Sequence, residues 1–301
     1  DRFTPEVAAG WRYLIRMWAE LVTDPNQQAF NVQQEVSTFS WSEEHVRRLH
    51  STRRPELKIQ KAYAGWNEFE RLFRLSVEYP HHDIDVSVPA DFLECEVICC
   101  QRNLELAVSL EREAHGSDWI HLPATITFKG GYREQSSGLA SLVIEAQELI
   151  GRLAEIDFPS AKAAMSRWPT NDDGVFARLR IWAASRKDIS DAALAGDLLA
   201  QLSDKAFWGS LHQADLLVAL GRRWDELPTS NRVVLERKLM ATSFPWPENL
   251  GEQQSKYDRL TLLERLRWLA AHASLFTFNI QAEIARVSAD VDGPLPDVES
   301  A

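Results

Sequence analysis

Apolar residues recurring at steps of three and four constrain this chain more than any other feature. That spacing lays one oily stripe along a helix and leaves its other faces wet. Val7, Trp11, Leu14, Ile15, Trp18, Leu21 and Val22 form the first such stripe, with Thr4 and Pro5 placed as cap and first helical residue. A second runs through Ile59, Tyr63, Trp66, Phe69, Phe73 and Val77, and a third through Leu93, Val97, Cys100, Leu104, Ala107 and Val108. The cleanest is Leu139, Leu142, Val143, Ala146, Leu149, Ile150 and Leu153, where Glu148 and Arg152 sit four apart on the wet side.

Beyond residue 155 the stripes shorten and turn chemistry separates them. The spacing predicts helices near 158–167, 174–186, 190–203, 210–224, 230–242, 256–273 and 277–290. Pro159, Pro169 with Asn171-Asp172-Asp173-Gly174, Ser190-Asp191, Pro228-Thr229-Ser230 and Pro245-Trp246-Pro247 supply the breaks and caps. Alternate helix starts at 174, 210 and 256 lie roughly 35 to 45 residues apart, the length of one helical hairpin in a solenoid. No strict repeated sequence accompanies the spacing. Two runs alternate with period two instead: Ile84, Val86, Val88, and Ile120, Leu122, Ala124, Ile126, Phe128. Pro123 inside the second, and Gly130-Gly131 after it, mark an edge strand or extended loop. The expected fold class is therefore predominantly all-α, with irregular α-helical hairpins stacked as a HEAT/TPR-like solenoid and room for one short β element near 118–130. The expected organisation is an N-terminal helical region over 1–116, a linker or small β element over 117–135, and a C-terminal helical-repeat domain over 136–301.

Charge and cysteine narrow the function classes. Forty-four acids against thirty-three bases leave a net charge of −11, which disfavours nucleic-acid binding through bulk charge. No apolar run approaches the ~20 residues of a membrane span. The three cysteines, Cys95, Cys99 and Cys100, are odd in number and clustered, which fits a reducing compartment and a cytoplasmic protein rather than a disulfide framework. The chain begins at Asp1 without methionine, so a piece of a longer protein is expected.

Few constellations carry chemistry. Cys95 and Cys99, four apart on a helix, share a face, but no second Cys or His pair has zinc spacing, so no metal or other cofactor is expected. Glu56-Leu57-Lys58 has the Glu-x-Lys spacing of a large nuclease superfamily, in which the acid helps hold magnesium and the lysine positions water. Such chemistry also wants an upstream aspartate on a neighbouring strand, and the candidate Asp24 follows a helical stripe with no strand pattern around it. The surrounding segment 47–61 holds six bases, Arg47, Arg48, Arg53, Arg54, Lys58 and Lys61, and carries +5 while the remainder carries −16. Such segregation reads as a solvated helix end or as an electrostatic docking patch. Eleven tryptophans are many for this length. Trp11, Trp18, Trp66, Trp182, Trp224 and Trp268 fall on or beside apolar stripes, whereas Trp208 and Trp246 lie at helix ends or in loops, where exposed interface anchors belong. His212 and Asp215, three apart, have the spacing of a hydrogen-bonded pair without a nucleophile.

Several C-terminal blocks bear a resemblance. They are Phe176-Ala177-Arg178-Leu179-Arg180-Ile181-Trp182, Phe207-Trp208 with His212-Gln213 and Asp215-Leu216-Leu217, and Leu220 with Arg222-Arg223-Trp224. Further on come Leu262-Leu263-Glu264-Arg265-Leu266-Arg267-Trp268-Leu269 and Glu283-Ile284-Ala285. Over roughly residues 170–297 the chain resembles the C-terminal helical domain of unknown function that follows a sirtuin-like NAD-binding domain in bacterial proteins, some implicated in anti-phage defence. The resemblance implies a non-catalytic scaffold or sensor that recognises a protein partner, a phage protein or the attached NAD-binding domain, and regulates that domain. It carries over no catalytic residue, because the NAD chemistry belongs to the sirtuin-like domain. Arg47, Arg48, Arg53, Arg54, Lys58, Trp208, His212, Arg222 and Arg223 are the expected binding residues. The alternative is a metal-dependent nuclease or nucleic-acid-binding module centred on 47–61 with Glu56 and Lys58.

Overall fold

The structure, a computed structural model, describes residues 16–21, 73–79, 88–115, 138–242, 244 and 254–289. The segment 47–61, Asp24, Trp246 and the β element expected near 118–130 lie outside these residues. Among the described residues the chain is predominantly α-helical. Strands β1 (Arg16–Leu21) and β2 (Phe73–Glu78) precede ten helices, the first two being α1 (Leu93–His115) and α2 (Leu139–Ile156). Then follow α3 (Phe158–Ser166), α4 (Val175–Ser185), α5 (Ala192–Ala200), α6 (Asp204–Trp208), α7 (Gln213–Arg223), α8 (Thr229–Ala241), α9 (Gln254–His272) and α10 (Ile280–Ala289).

The two strands correct the described parts of two expected helices, residues 16–21 of the one over 7–22 and 73–77 of the one over 59–77, whose remaining residues lie outside the described ones. β1 and β2 pair antiparallel, with Arg16 opposite Glu78 and Glu20 opposite Arg74. The same register sets Met17, Ala19 and Leu21 opposite Val77, Leu75 and Phe73. Phe73-Arg74-Leu75-Ser76-Val77-Glu78 alternates strictly, and Phe73 and Val77 also fit a helical step of four, so a short run satisfies both periods. Pairing decides between them, since in every pair but Trp18 with Ser76 the register sets apolar opposite apolar or base opposite acid. Val77 and Tyr79 pack against the helical core, and the Tyr79 hydroxyl donates to Glu111 of α1.

The helices past residue 138 other than α6 fall near where the spacing placed them, and side-chain caps fix the starts of α3, α5, α6 and α10. The Asp157 carboxylate accepts from Ser160 N at 3.2 Å, with Pro159 in the first turn of α3. Asp191 accepts from Leu194 N at 2.7 Å to open α5, Ser203 from Ala206 N at 3.0 Å to open α6, and Asn279 from Ala282 N at 3.0 Å to open α10. Thr242, in the left-handed region at φ 45°, ends α8. Helix α6 is the one the spacing did not separate from its neighbours.

Packing proceeds pairwise. α1 lies on α2 and β2, α2 on α3, α4 on both α5 and α7, α5 on α8, α7 on α9, and α9 on α10. All eleven residues of α4 are buried, which makes it the central helix. α5 and α8 approach closely at Gly196, where a Cβ would come within 2.7 Å of the Asn231 side chain. One contiguous core runs from Val88 to Val287.

Candidate functional site

Burying eleven consecutive residues in α4 means burying its two arginines. Arg178, Arg180, Arg223 and Arg265 each expose no more than 2% of their surface. A guanidinium cannot enter a core without partners for its donors. Here the partners are chiefly backbone carbonyls at helix ends, which lack intrahelical hydrogen bonds and carry the negative end of the helix dipole.

The pattern recurs at three joints. Arg180 of α4 donates through Nη2 to the carbonyls of Trp168 and Pro169, just past the end of α3, at 2.6 and 2.5 Å. Arg223, ending α7, donates through Nη1 to Ala184 O of α4 at 3.0 Å and through Nη2 to Ser190 O at 3.1 Å. Its Nε lies 3.2 Å from Glu226 Oε2. Arg265 of α9 donates to Phe207 O at 2.6 Å and Trp208 O at 3.2 Å, the last two residues of α6. Its guanidinium also lies 4.3 Å from the Trp208 ring centroid. Burial pushes the Arg265 pKa down to about 10, with Glu264 pulling the other way. Burial likewise lowers those of Arg178 and Arg180, against Asp215 and Asp172 respectively. The planar fork explains the residue choice, since lysine offers no comparably fixed pair of donors.

Tryptophans supply a second set of ties. Trp268 Nε1 donates to Leu217 O at 3.0 Å, joining α9 to α7. Trp224 Nε1 donates to Leu275 O at 2.9 Å, and Trp208 Nε1 reaches Lys238 O at 3.3 Å. Trp208 is 2% exposed and so is a core residue rather than the exposed anchor its helix-end position implied.

His212 and Asp215 are not bonded directly; Arg178 bridges them. Arg178 Nη2 donates to Leu211 O at 2.6 Å, its Nη1 lies 3.4 Å from Asp215 Oδ2, and its Nε donates to His212 Nδ1 at 3.4 Å. The other imidazole nitrogen, Nε2, lies 2.6 Å from the Asp173 carbonyl. Ser203, whose hydroxyl donates to the Asp173 side chain, brings the start of α6 to the same place. Asp172 accepts from Phe176 N at 2.6 Å and from Arg112 of α1 at 2.7 Å. Burial raises its pKa, opposed by those two partners.

Of the expected binding residues that are described, Trp208, His212 and Arg223 are buried in joints, while Arg222 is exposed. The structure brings Trp208 to Arg265, and His212 to Arg178 and Asp215. The sequence reading missed Arg178, Arg180 and Arg265 as structural clamps. Their signal was an arginine inside a window apolar on all sides, Val175–Ala184 being the clearest. No disulfide joins Cys95, Cys99 or Cys100, and no group of three or more His, Cys, Asp or Glu with metal-holding geometry occurs among the described residues. A void of about 10 Å³ between α1, α2 and α4 is lined by Val97, Cys100, Leu104, Leu149, Trp168, Phe176 and their neighbours. It has room for about one water. No helix among the described residues is long and apolar enough to cross a membrane. The chain matches no protein-family model, no curated protein and no solved structure.

Proposed function

We propose that this chain is a helical-repeat scaffold that recognises a protein partner with its outer surface. In this reading α4–α5, α7–α8 and α9–α10 are irregular hairpins of a HEAT/TPR-like array. The supporting contacts are α4 on α7 on α9 in one row, and α5 on α8 in the other. The observation that carries the reading is where the chemistry-bearing side chains are used. Arg178, Arg180, His212, Arg223 and Arg265 are committed to helix ends and to one another, inside the core. Binding then falls to the outside, where Arg222 and the α8 side chains Val233, Val234 and Met240, 36–37% exposed, are available. A solenoid suits recognition because its face grows with each hairpin while its core stays local.

The resemblance in the C-terminal blocks extends the proposal. The array regulates an attached sirtuin-like NAD-consuming domain in bacterial anti-phage defence, in the cytoplasm, through coupling rather than catalysis. The test uses the full reading frame in its native host. Wild type and the paired surface variant Arg222→Glu/Val234→Glu are cross-linked with and without phage infection, and NAD is followed in the same cultures. The expected result is one partner cross-linked to the outer helices of the wild type, lost in the variant together with infection-dependent NAD loss, at an unchanged melting temperature. Identical cross-links and NAD traces in both would contradict it.

A further inference from the structure

The Arg178–His212–Asp215 cluster is more than a static tie, because one of its members is a histidine, the side chain whose ordinary pKa lies within the physiological range. The Asp173 carbonyl can only accept, so the hydrogen on His212 faces it from Nε2 at 2.6 Å. Nδ1 must then be bare, as the Nε–H of Arg178 pointing at it requires. His212 is 1% exposed, so an added charge on its ring is shielded from bulk solvent. A second proton on Nδ1 would set N–H against N–H and cation against cation. The charged or titratable groups facing the ring are Arg178 from α4, Asp173 from the α3–α4 loop and Asp215 from α7. Asp215 Oδ1 is buried without a hydrogen-bond partner, so the cluster already contains one unmet acceptor beside the arginine.

We propose that His212, wedged between Arg178 and the Asp173 carbonyl, is an acid-sensitive latch that holds the start of α7 on α4 at neutral pH and releases it on acidification. The proton enters at Nδ1 and displaces the Arg178 Nε–H. Arg178 holds Leu211 O and Asp215 with its two other nitrogens, so the Ser210–His212 turn and the first turn of α7 loosen together. Burial lowers the imidazole pKa below its ordinary value, with Arg178 adding to the effect and the Asp173 carbonyl opposing it. The unfolded chain therefore takes up the proton first as pH falls. Stability is full above about pH 6.5, the ordinary histidine value, and declines below it toward the lower folded value. The latch does not depend on what the scaffold binds.

The test is the melting temperature of the whole chain between about pH 7.5 and pH 5, for wild type and His212→Gln, whose amide can still donate to the Asp173 carbonyl but takes up no proton in that range. Wild type should lose about 2–4 °C more than the variant over this interval, the direction following from an imidazole that burial makes harder to protonate in the folded chain. If the variant does not fold, imidazole NMR on histidine-labelled wild type replaces it. That spectrum should show the His212 ring neutral and Nε2-protonated at pH 7, titrating late, with amide signals of residues 210–215 moving alongside. Equal pH profiles for the two proteins, or a His212 ring titrating at the ordinary value with its neighbours unmoved, would overturn the latch.

Discussion

The α1–α2 pair and the α4–α10 block solve the same problem, helix against helix, with different chemistry. α1 and α2 meet through hydrocarbon: Val97, Leu104 and Ala107 on one side, Leu142, Ala146, Leu149 and Leu153 on the other. Polar groups there are fewer: Arg152 Nη2 donates to Val88 O at 2.6 Å, and Glu96 of α1 is buried. From α4 onward the joints combine apolar packing with guanidinium forks set on helix ends. Hydrocarbon is indifferent to orientation, whereas a two-pronged hydrogen bond fixes which turn of one helix meets which end of another. Short helices of five to eleven residues, such as α6, α7 and α4, gain most from such fixing, because their unsatisfied ends are a large share of their backbone.

The contrast can be broken most sharply at Arg265. Arg265→Ala should cost about 3–5 kcal/mol, since it orphans two buried carbonyls and empties the space against Trp208. Arg265→Met, which keeps most of the bulk, should still lose about 2 kcal/mol, and denaturant melts of the three proteins would read both. Full recovery by methionine would mean that bulk alone matters at this joint. In the apolar pair, Leu104→Ala should cost about 3 kcal/mol, while Leu104→Met should cost under about 1.5 kcal/mol. The two joints would then differ in whether an apolar residue of similar size substitutes. Asp191→Ala removes the cap on α5 and should cost about 1 kcal/mol, measurable by thermal melting. Thiol accessibility sharpens the comparison at least energetic cost. Burial, with Glu145 and Glu96 nearby, pushes the Cys100 pKa up, so native protein treated with a thiol reagent should leave Cys100 unmodified until it unfolds.

The same contrast explains how much of the molecule was legible in sequence. Leu139 to Leu153 gave away α2 because an apolar stripe is a statement about one face, and α1 followed from Leu93, Val97, Cys100 and Leu104. Asp191 and Pro159 marked helix starts for equally local reasons. The partners at the arginine joints were not legible: the apolar window over 175–184 signals burial of Arg178 and Arg180 but not what meets them, and Arg265, with Glu264 and Arg267 beside it, has the surroundings of a surface residue. Only the carbonyls of Trp168 or Phe207, brought in from distant sequence, make burial tolerable. Trp208 misled in the same way: its helix-end position says nothing of Arg265 and Phe244 packed on its ring. The strands were misread because Phe73 and Val77 satisfy two periods, and the partner that chooses between them lies more than fifty residues earlier.

Arg222 and Arg223 test the central claim most directly, being neighbours of the same type with opposite placements, one exposed and one 2% exposed. The measurement is the melting temperature of Arg222→Ala beside Arg223→Ala. Loss of the Arg223 fork on Ala184 O and Ser190 O should lower it by about 10 °C, while loss of Arg222 should leave it within about 2 °C. Similar melting temperatures for the two variants would contradict the view that buried guanidiniums clamp these helices together.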